Sequence, residues 1–277
     1  MEGIKVVLLL KDILNMPVSI LKTFAPVIRI EIVRILLAFA LFCGLKVRHI
    51  DAKTAFLNSP ADFEIYIEQP EGFICEQFPD FVLLLNKSLY GLKQAPRLWY
   101  LLLCSIIISL GFIPLESDPC IYFSPECSII IAVYVDDILI FAPTDDACIQ
   151  VFQQLATHFQ MSDLGRPSRF LGLEFHWNAN GSLSLNQAHY IDHLLKRFQM
   201  EDAHPAKTPL DHSLPLLLAR PEDQLADVML YQELIGSLNH LAVFSRPDIA
   251  NSVSQLSAFR QNPTEMHMKA ARRVYAI

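Results

Sequence analysis

Between Ser128 and Ala142 the chain reads SIIIAVYVDDILIFA, two apolar stretches with Asp136 and Asp137 set between them. Short β-branched runs of this kind read as buried strands, and two of them joined across so few residues must form a tight hairpin. The expected strands are Ile129 to Val135 and Ile138 to Ala142, which puts both carboxylates at the hairpin tip. Ionised carboxylates beside buried strands are costly without compensation, so a cation is expected against them. Ligands that offer only oxygen select a hard divalent ion, Mg²⁺ or Mn²⁺. The plainer alternative is a surface turn in which Asp-Asp only closes the loop. The flanking hydrophobicity and the preceding Tyr134 favour the metal site.

Divalent ions that act on phosphate are usually bridged by carboxylates from more than one strand. Asp51 is the candidate partner. It follows Leu45-Lys46-Val47-Arg48-His49-Ile50, where apolar and polar residues alternate with the period of two that marks a strand. Alone, an acidic residue at a strand end is an ordinary cap or turn former; with the hairpin it makes a three-carboxylate, two-metal arrangement. Residues Leu89 to Tyr100, LYGLKQAPRLWY, add a loop entering a helix. Gly91 suits close backbone approach there, and Lys93, Gln94 and Arg97 suit polar contact with a nucleotide or template.

Taken in order, these segments resemble the reverse transcriptase of copia-type LTR retrotransposons. The resemblance is carried by KTFAPVIRIEIVRILLA from Lys22, HIDAKTAFLN from His49, IYIEQPEGF from Ile65, LNKSLYGLKQAPRLWY from Leu85, SDPCIY from Ser117 and the YVDDILIF run. It continues through DLGRPSRFLGLEF from Asp163, LSLNQAHYIDHLLKRFQM from Leu183, TPL from Thr208 and the long block from Tyr231.

The resemblance implies an α+β fold: a right-hand polymerase palm, an antiparallel sheet with helices, with partial fingers and a helical thumb or connection region. It implies that Asp51, Asp136 and Asp137 are catalytic and hold two Mg²⁺ ions, with Mn²⁺ as a substitute, for nucleotidyl transfer to a primer 3′-hydroxyl. Phe56 matches the aromatic that stands under the incoming sugar, where the plain alternative is a core phenylalanine. Tyr90, Gly91 and Lys93 match the segment beside the nucleotide and template, and Tyr134 of the YVDD run is counted with them. The stretch Phe170 to Phe175 looks like the hairpin that grips the primer terminus; on its own it reads as one alternating strand with a glycine. The implied partners are an RNA or DNA template–primer and deoxynucleoside triphosphates.

Composition sets bounds on this reading. The 277 residues are 52% hydrophobic and 18% charged, with a net charge of −7. A protein that tracks nucleic acid gathers Lys and Arg along a groove, and here they are sparse and scattered. Six cysteines, Cys43, Cys75, Cys104, Cys120, Cys127 and Cys148, form no CxxC pair and read as reduced, mostly buried thiols. The apolar run Val6 to Leu10 has acidic and basic flanks and no cleavage site, so an intracellular location, particle or nucleus, is expected rather than secretion. The stretch Leu98 to Leu115 approaches the roughly 17 to 25 residues of a membrane helix. Because it follows the LYGLKQAPR loop directly, it is read as a buried or partly exposed helix, with no membrane partner.

The organisation expected is a segment 1–21 that matches nothing in the family, partial fingers and palm over 22–180, and a thumb-like or connection-like helical region over 181–277. Helices are expected over Ile28 to Gly44, to about Gly111, over about Asp145 to Gln160 and over Gln187 to Gln199. Asn178 to Gly181 reads as a hairpin turn, Ala203 to Glu222 as a weakly ordered Pro-rich linker, and Leu230 to Ile277 as helices opened by Pro247 and Pro263. With no fingers match before Lys22 and no further Pol signatures, the chain looks like an excised piece of a polyprotein. A degenerate, catalytically inactive fragment, or a nucleic-acid-binding or protein-binding remnant, is the alternative expectation, motivated by the missing fingers arginine and lysine set, the acidic balance and the apolar Leu101 to Ile108 face.

Overall fold

The computed structural model describes residues 4–7, 23–61, 64–124, 126, 128–211 and 216–277. Most of the segment 1–21, together with Lys22, Cys127 and part of the 203–222 stretch, lies outside the described residues. The chain forms two compact units, Met1–Pro167 and Ser168–Ile277. The secondary structure is α+β with antiparallel sheets.

In the first unit the elements are β1 (Ile4–Val7), α1 (Ile30–Cys43), β2 (Lys46–Ala52), α2 (Ala55–Asn58), β3 (Tyr66–Glu68), β4 (Val82–Leu85) and α3 (Ala95–Ser109). Then follow β5 (Ile113–Leu115), β6 (Asp118–Ser124), β7 (Ile129–Tyr134), β8 (Asp137–Ala142), α4 (Asp145–Ala156) and β9 (Met161–Gly165). Six strands make one sheet in the order β5-β6-β7-β8-β2-β9, so β2 is inserted between the DD hairpin and the last strand. A smaller sheet has the order β1-β4-β3.

Strand alternation sends Ile50, Ile131, Val133, Ile138 and Ile140 to one face, where they pack with Trp99, Leu103 and Ile107 of α3 and Cys148, Val151 and Leu155 of α4. Burying side chains of this size contributes about 2 kcal/mol each. Leu139 and Phe141 on the other face of β8 are also fully buried, which is why the sequence there runs apolar without alternation.

Helix α3 buries Ala95, Trp99, Leu103 and Ile107, one residue per turn, and leaves Leu101 and Ile108 exposed. Pro96 sits in its first turn, where the missing N–H is harmless. Gly111, at φ 93°, then turns the chain into β5, so the apolar stretch Leu98 to Leu115 is a helix and a strand. Among the described residues no helix is long and apolar enough to cross a membrane. Helix α1 buries Ile30, Val33, Leu36, Leu37 and Ala40, as its spacing predicts, and ends at Gly44 in the left-handed conformation. Helix α4 stops four residues short of Gln160, after Thr144 has capped its start by accepting the Ala147 N–H.

The second unit holds β10 (Arg169–Phe170), β11 (Leu173–Trp177), β12 (Leu183–Asn186), α5 (Ala188–Arg197), α6 (Val228–Phe244), α7 (Ala250–Ser257) and α8 (Glu265–Tyr275). Phe170 to Trp177 is not one strand. Leu171 and Gly172 both take positive φ, 50° and 80°, and reverse the chain, so that Phe170 pairs with Leu173. The turn expected at Asn178 to Gly181 is present, closed by the Asn178 N–H on the Ser182 carbonyl, and joins β11 to β12.

The four helices share a core built around Tyr231, Leu234, Leu238, Leu256 and Ala271, to which α5 adds Leu194. Pro247 opens a 3-10 turn as expected. Pro263 does not open α8, because Thr264 is the cap and the helix starts at Glu265. The expected linker also needs correction. Its described residues carry no helix or strand, yet Leu210 is buried, the Ala206 N–H donates to Ala276 and Arg273 donates to the Thr208 carbonyl. Among the described cysteines Cys120 and Cys148 are buried, but Cys43, the last residue of α1, and Cys75, in an exposed stretch between β3 and β4, are exposed.

Candidate active site

Strand β2 delivers Asp51 and the β7–β8 hairpin delivers the acidic pair. Tyr134 pairs with Asp137 across the hairpin, so the connecting loop is only Val135-Asp136, and Asp137 belongs to β8 rather than to the loop. In the next ladder Asp51 is the register partner of Asp137. Side chains directly opposite one another lie on the same face with their Cβ atoms roughly 5 Å apart. The three carboxylates therefore meet at one end of the sheet, each partly exposed.

The loop is clamped from two sides. Val135, a β-branched residue, is held at φ 54°, where such residues are strained. Its carbonyl accepts the Trp99 indole N–H at 2.7 Å, and the Asp136 carbonyl accepts the Ala52 N–H at 2.9 Å. Helix α3 and strand β2 together hold the loop in this strained conformation.

Electrostatically the tip gathers three carboxylates. Burial pushes the Asp136 carboxyl above the usual carboxylate range, and the charges of Asp137 and Asp51 push it the same way. His49 is the near neighbour, with Nε2 at 2.7 Å from Asp137 Oδ1. Among the described residues no three His, Cys, Asp or Glu side chains are already drawn into a metal-holding cluster. The donor set still fits a divalent cation, since it offers only carboxylate oxygens and its mutual repulsion would be relieved by one.

Phe56 and Tyr90 are brought together, ring centroids 4.7 Å apart and planes at 51°. Phe56 lies on α2, a short helix that Thr54 enters at φ 50° and Asn58 closes by donating to the carbonyls of Lys53, Thr54 and Ala55. Gly91 takes φ 98°, and a Cβ there would meet nothing within 4 Å. The glycine thus answers a backbone need rather than a close approach within the chain. Lys93 is exposed, whereas Gln94, expected to make polar contacts outward, is buried beneath the start of α3. The β10–β11 hairpin belongs to the second compact unit. Sequence reasoning missed Trp99 and His49 as parts of the site. For His49 a signal existed: two residues before Asp51 on a strand, it must share that residue's face.

A family model described as reverse transcriptase (RNA-dependent DNA polymerase) matches residues 12–212. The chain belongs to the reverse transcriptase family. The match begins inside the segment 1–21 that the sequence motifs leave apart. Within the family its relatives are copia-type Pol proteins. It is 38% identical over 259 residues to the retrovirus-related Pol polyprotein from transposon TNT 1-94 of Nicotiana tabacum, covering 90% of this chain and 19% of that protein. It is 39% identical over 226 residues to the putative transposon Ty5-1 protein of Saccharomyces cerevisiae, covering 81% of this chain and 73% of that one. Against the Pol polyprotein from transposon RE1 of Arabidopsis thaliana it is 38% identical over 255 residues, 91% of this chain and 17% of that protein. This reverse transcriptase chain therefore spans about a fifth of the length of the plant polyproteins it matches.

Proposed function

We propose that the chain is an RNA-directed DNA polymerase that joins a primer 3′-hydroxyl to the α-phosphorus of a deoxynucleoside triphosphate, releasing pyrophosphate. The observation that carries this reading is the register of Asp51 opposite Asp137, with Asp136 in the adjoining loop. Asp51, Asp136 and Asp137 would hold two Mg²⁺ ions, or Mn²⁺, which when bound activate the 3′-hydroxyl and neutralise the triphosphate. The chain's own residues position the substrates. Phe56, backed by Tyr90, limits the space beside the incoming sugar; Gly91 and Tyr134 border the nucleotide; the exposed ammonium of Lys93 faces phosphate or template. On this reading residues 22–180 are palm with partial fingers, residues 181–277 are thumb-like or connection-like, and the β10–β11 hairpin grips the primer.

The test is Mg²⁺-dependent extension of a DNA primer on an RNA template, lost in Asp136→Asn. No extension by pure, folded, monodisperse protein would overturn it. The net charge of −7 weakens the case for a working polymerase and favours one other reading, a catalytically silent remnant. Template binding without extension in the same assay would select that one.

A further inference from the structure

We propose that His49 is a positioning residue for the carboxylates, holding Asp137 through one oxygen so that the other is left to a divalent cation. The inference rests on reading Asp51, Asp136 and Asp137 as metal ligands, and it goes beyond that reading by naming what orients them.

His49 is 7% exposed, yet it is a polar ring set among apolar side chains. Its strand partner is Leu139, and Val47, next along the same face, pairs with Phe141; both partners are fully buried. A buried imidazole needs hydrogen-bond partners, and one of its nitrogens reaches diagonally across the ladder to Asp137 Oδ1 at 2.7 Å. An ionised carboxylate has only acceptors, so Nε2 donates.

The need for such a donor follows from the register. Asp51 and Asp137 are directly opposite, and like charges so placed repel, which would swing an unrestrained Asp137 away from its partner. A donor fixed in the sheet two residues before Asp51 counters that swing from within the same face. Carboxylates that bind metals are themselves held by hydrogen bonds, and losing such a partner costs about 10–100-fold in metal affinity or activity.

The test uses the full chain and Mn²⁺ alone as the probe, with free Mn²⁺ read by electron paramagnetic resonance. Wild type, His49→Gln and His49→Leu are compared, each checked for fold by circular dichroism. His49→Leu should weaken Mn²⁺ binding about tenfold or more. His49→Gln, whose amide can donate to the same carboxylate, should keep most of the affinity. If His49→Leu does not fold, His49→Asn replaces it, being polar but too short to reach Asp137, and should show the same loss. Equal loss in the donor-bearing and donor-lacking variants, wild-type affinity without the donor, or no Mn²⁺ binding by wild type would each overturn the proposal. Primer extension with Mg²⁺ is run beside it: wild type that binds Mn²⁺ but extends nothing overturns the polymerase reading, while the Mn²⁺ affinities of the variants still decide the role of His49.

Discussion

The two compact units differ in where their carboxylates and hydroxyls find partners. In the second, polar groups close on one another inside the fold: the buried Tyr231 hydroxyl donates to the Leu256 carbonyl at 2.9 Å, and Ser237 Oγ donates to Glu233 and meets the Tyr275 hydroxyl at 2.6 Å. Gln187, nearly fully buried, accepts the Ser245 hydroxyl at 2.7 Å. In the first unit three carboxylates gather on the end of an apolar sheet, and burial, helped by the charges of Asp137 and Asp51, pushes the Asp136 carboxyl up. Polar groups satisfied internally stabilise a fold, whereas like charges held together against their repulsion mark a candidate ligand site.

The sharpest way to break that comparison is Asp51→Asn. Primer extension should fall by roughly 10²–10³ or more, the scale of losing a principal electrostatic stabiliser, with the melting temperature held or raised. Trp99→Phe comes next, because it removes both the indole donor on Val135 and core volume at a residue 1% exposed. A stability loss of about 2–3 kcal/mol in urea titration is expected. Extension per folded molecule should also fall about tenfold, equivalent to ~1.4 kcal/mol of barrier, because the loop loses one of its two clamps. A stability loss with no change in extension would show that the clamp does not matter to the site.

Tyr231→Phe should do the reverse of Asp51→Asn. It leaves the Leu256 carbonyl without that hydroxyl and should cost about 1–3 kcal/mol, with extension per folded molecule unchanged. The smallest effect belongs to the Arg48–Asp163 pair on β2 and β9. Burial alone would raise the Asp163 carboxyl, but the hydrogen bonds from Arg48 and the Gly165 N–H, with the charge of Arg48, bring it below the usual range. A depressed folded-state value means stability present above the unfolded pKa, about 3.9, and lost as pH falls through the lower folded value. Asp163→Asn should therefore lower stability by less than ~1 kcal/mol at neutral pH, and its melting temperature should converge with wild type near pH 2.

How far the sequence could be read divides differently, between local signals and pairings across distance. The DD hairpin, the stripes of α1 and α5 and the Asn178 turn were legible, because burial on one face imposes a period and turns demand particular residues. Asp51 was legible as a strand end, but its register opposite Asp137 was not, since pairing between distant strands leaves no local mark. The clamp from Trp99 and the contact from His49 were hidden for that reason. The β10–β11 reversal followed from the resemblance but not from the residues themselves, because a leucine at positive φ carries no turn signal. The stretch 203–222 looked like a linker because its prolines exclude regular structure, which does not prevent Leu210 from packing into a core.

If Asp136 serves a ligand at some expense to the fold, Asp136→Asn separates the two effects when melting temperature and primer extension are measured on the same preparation. A carboxyl raised in the folded state contributes stability when protonated and loses it as pH rises, so removing its charge at neutral pH should leave the melting temperature equal or higher. Mg²⁺-dependent extension should disappear. Extension that survives, or a melting temperature that falls along with it, would contradict the account.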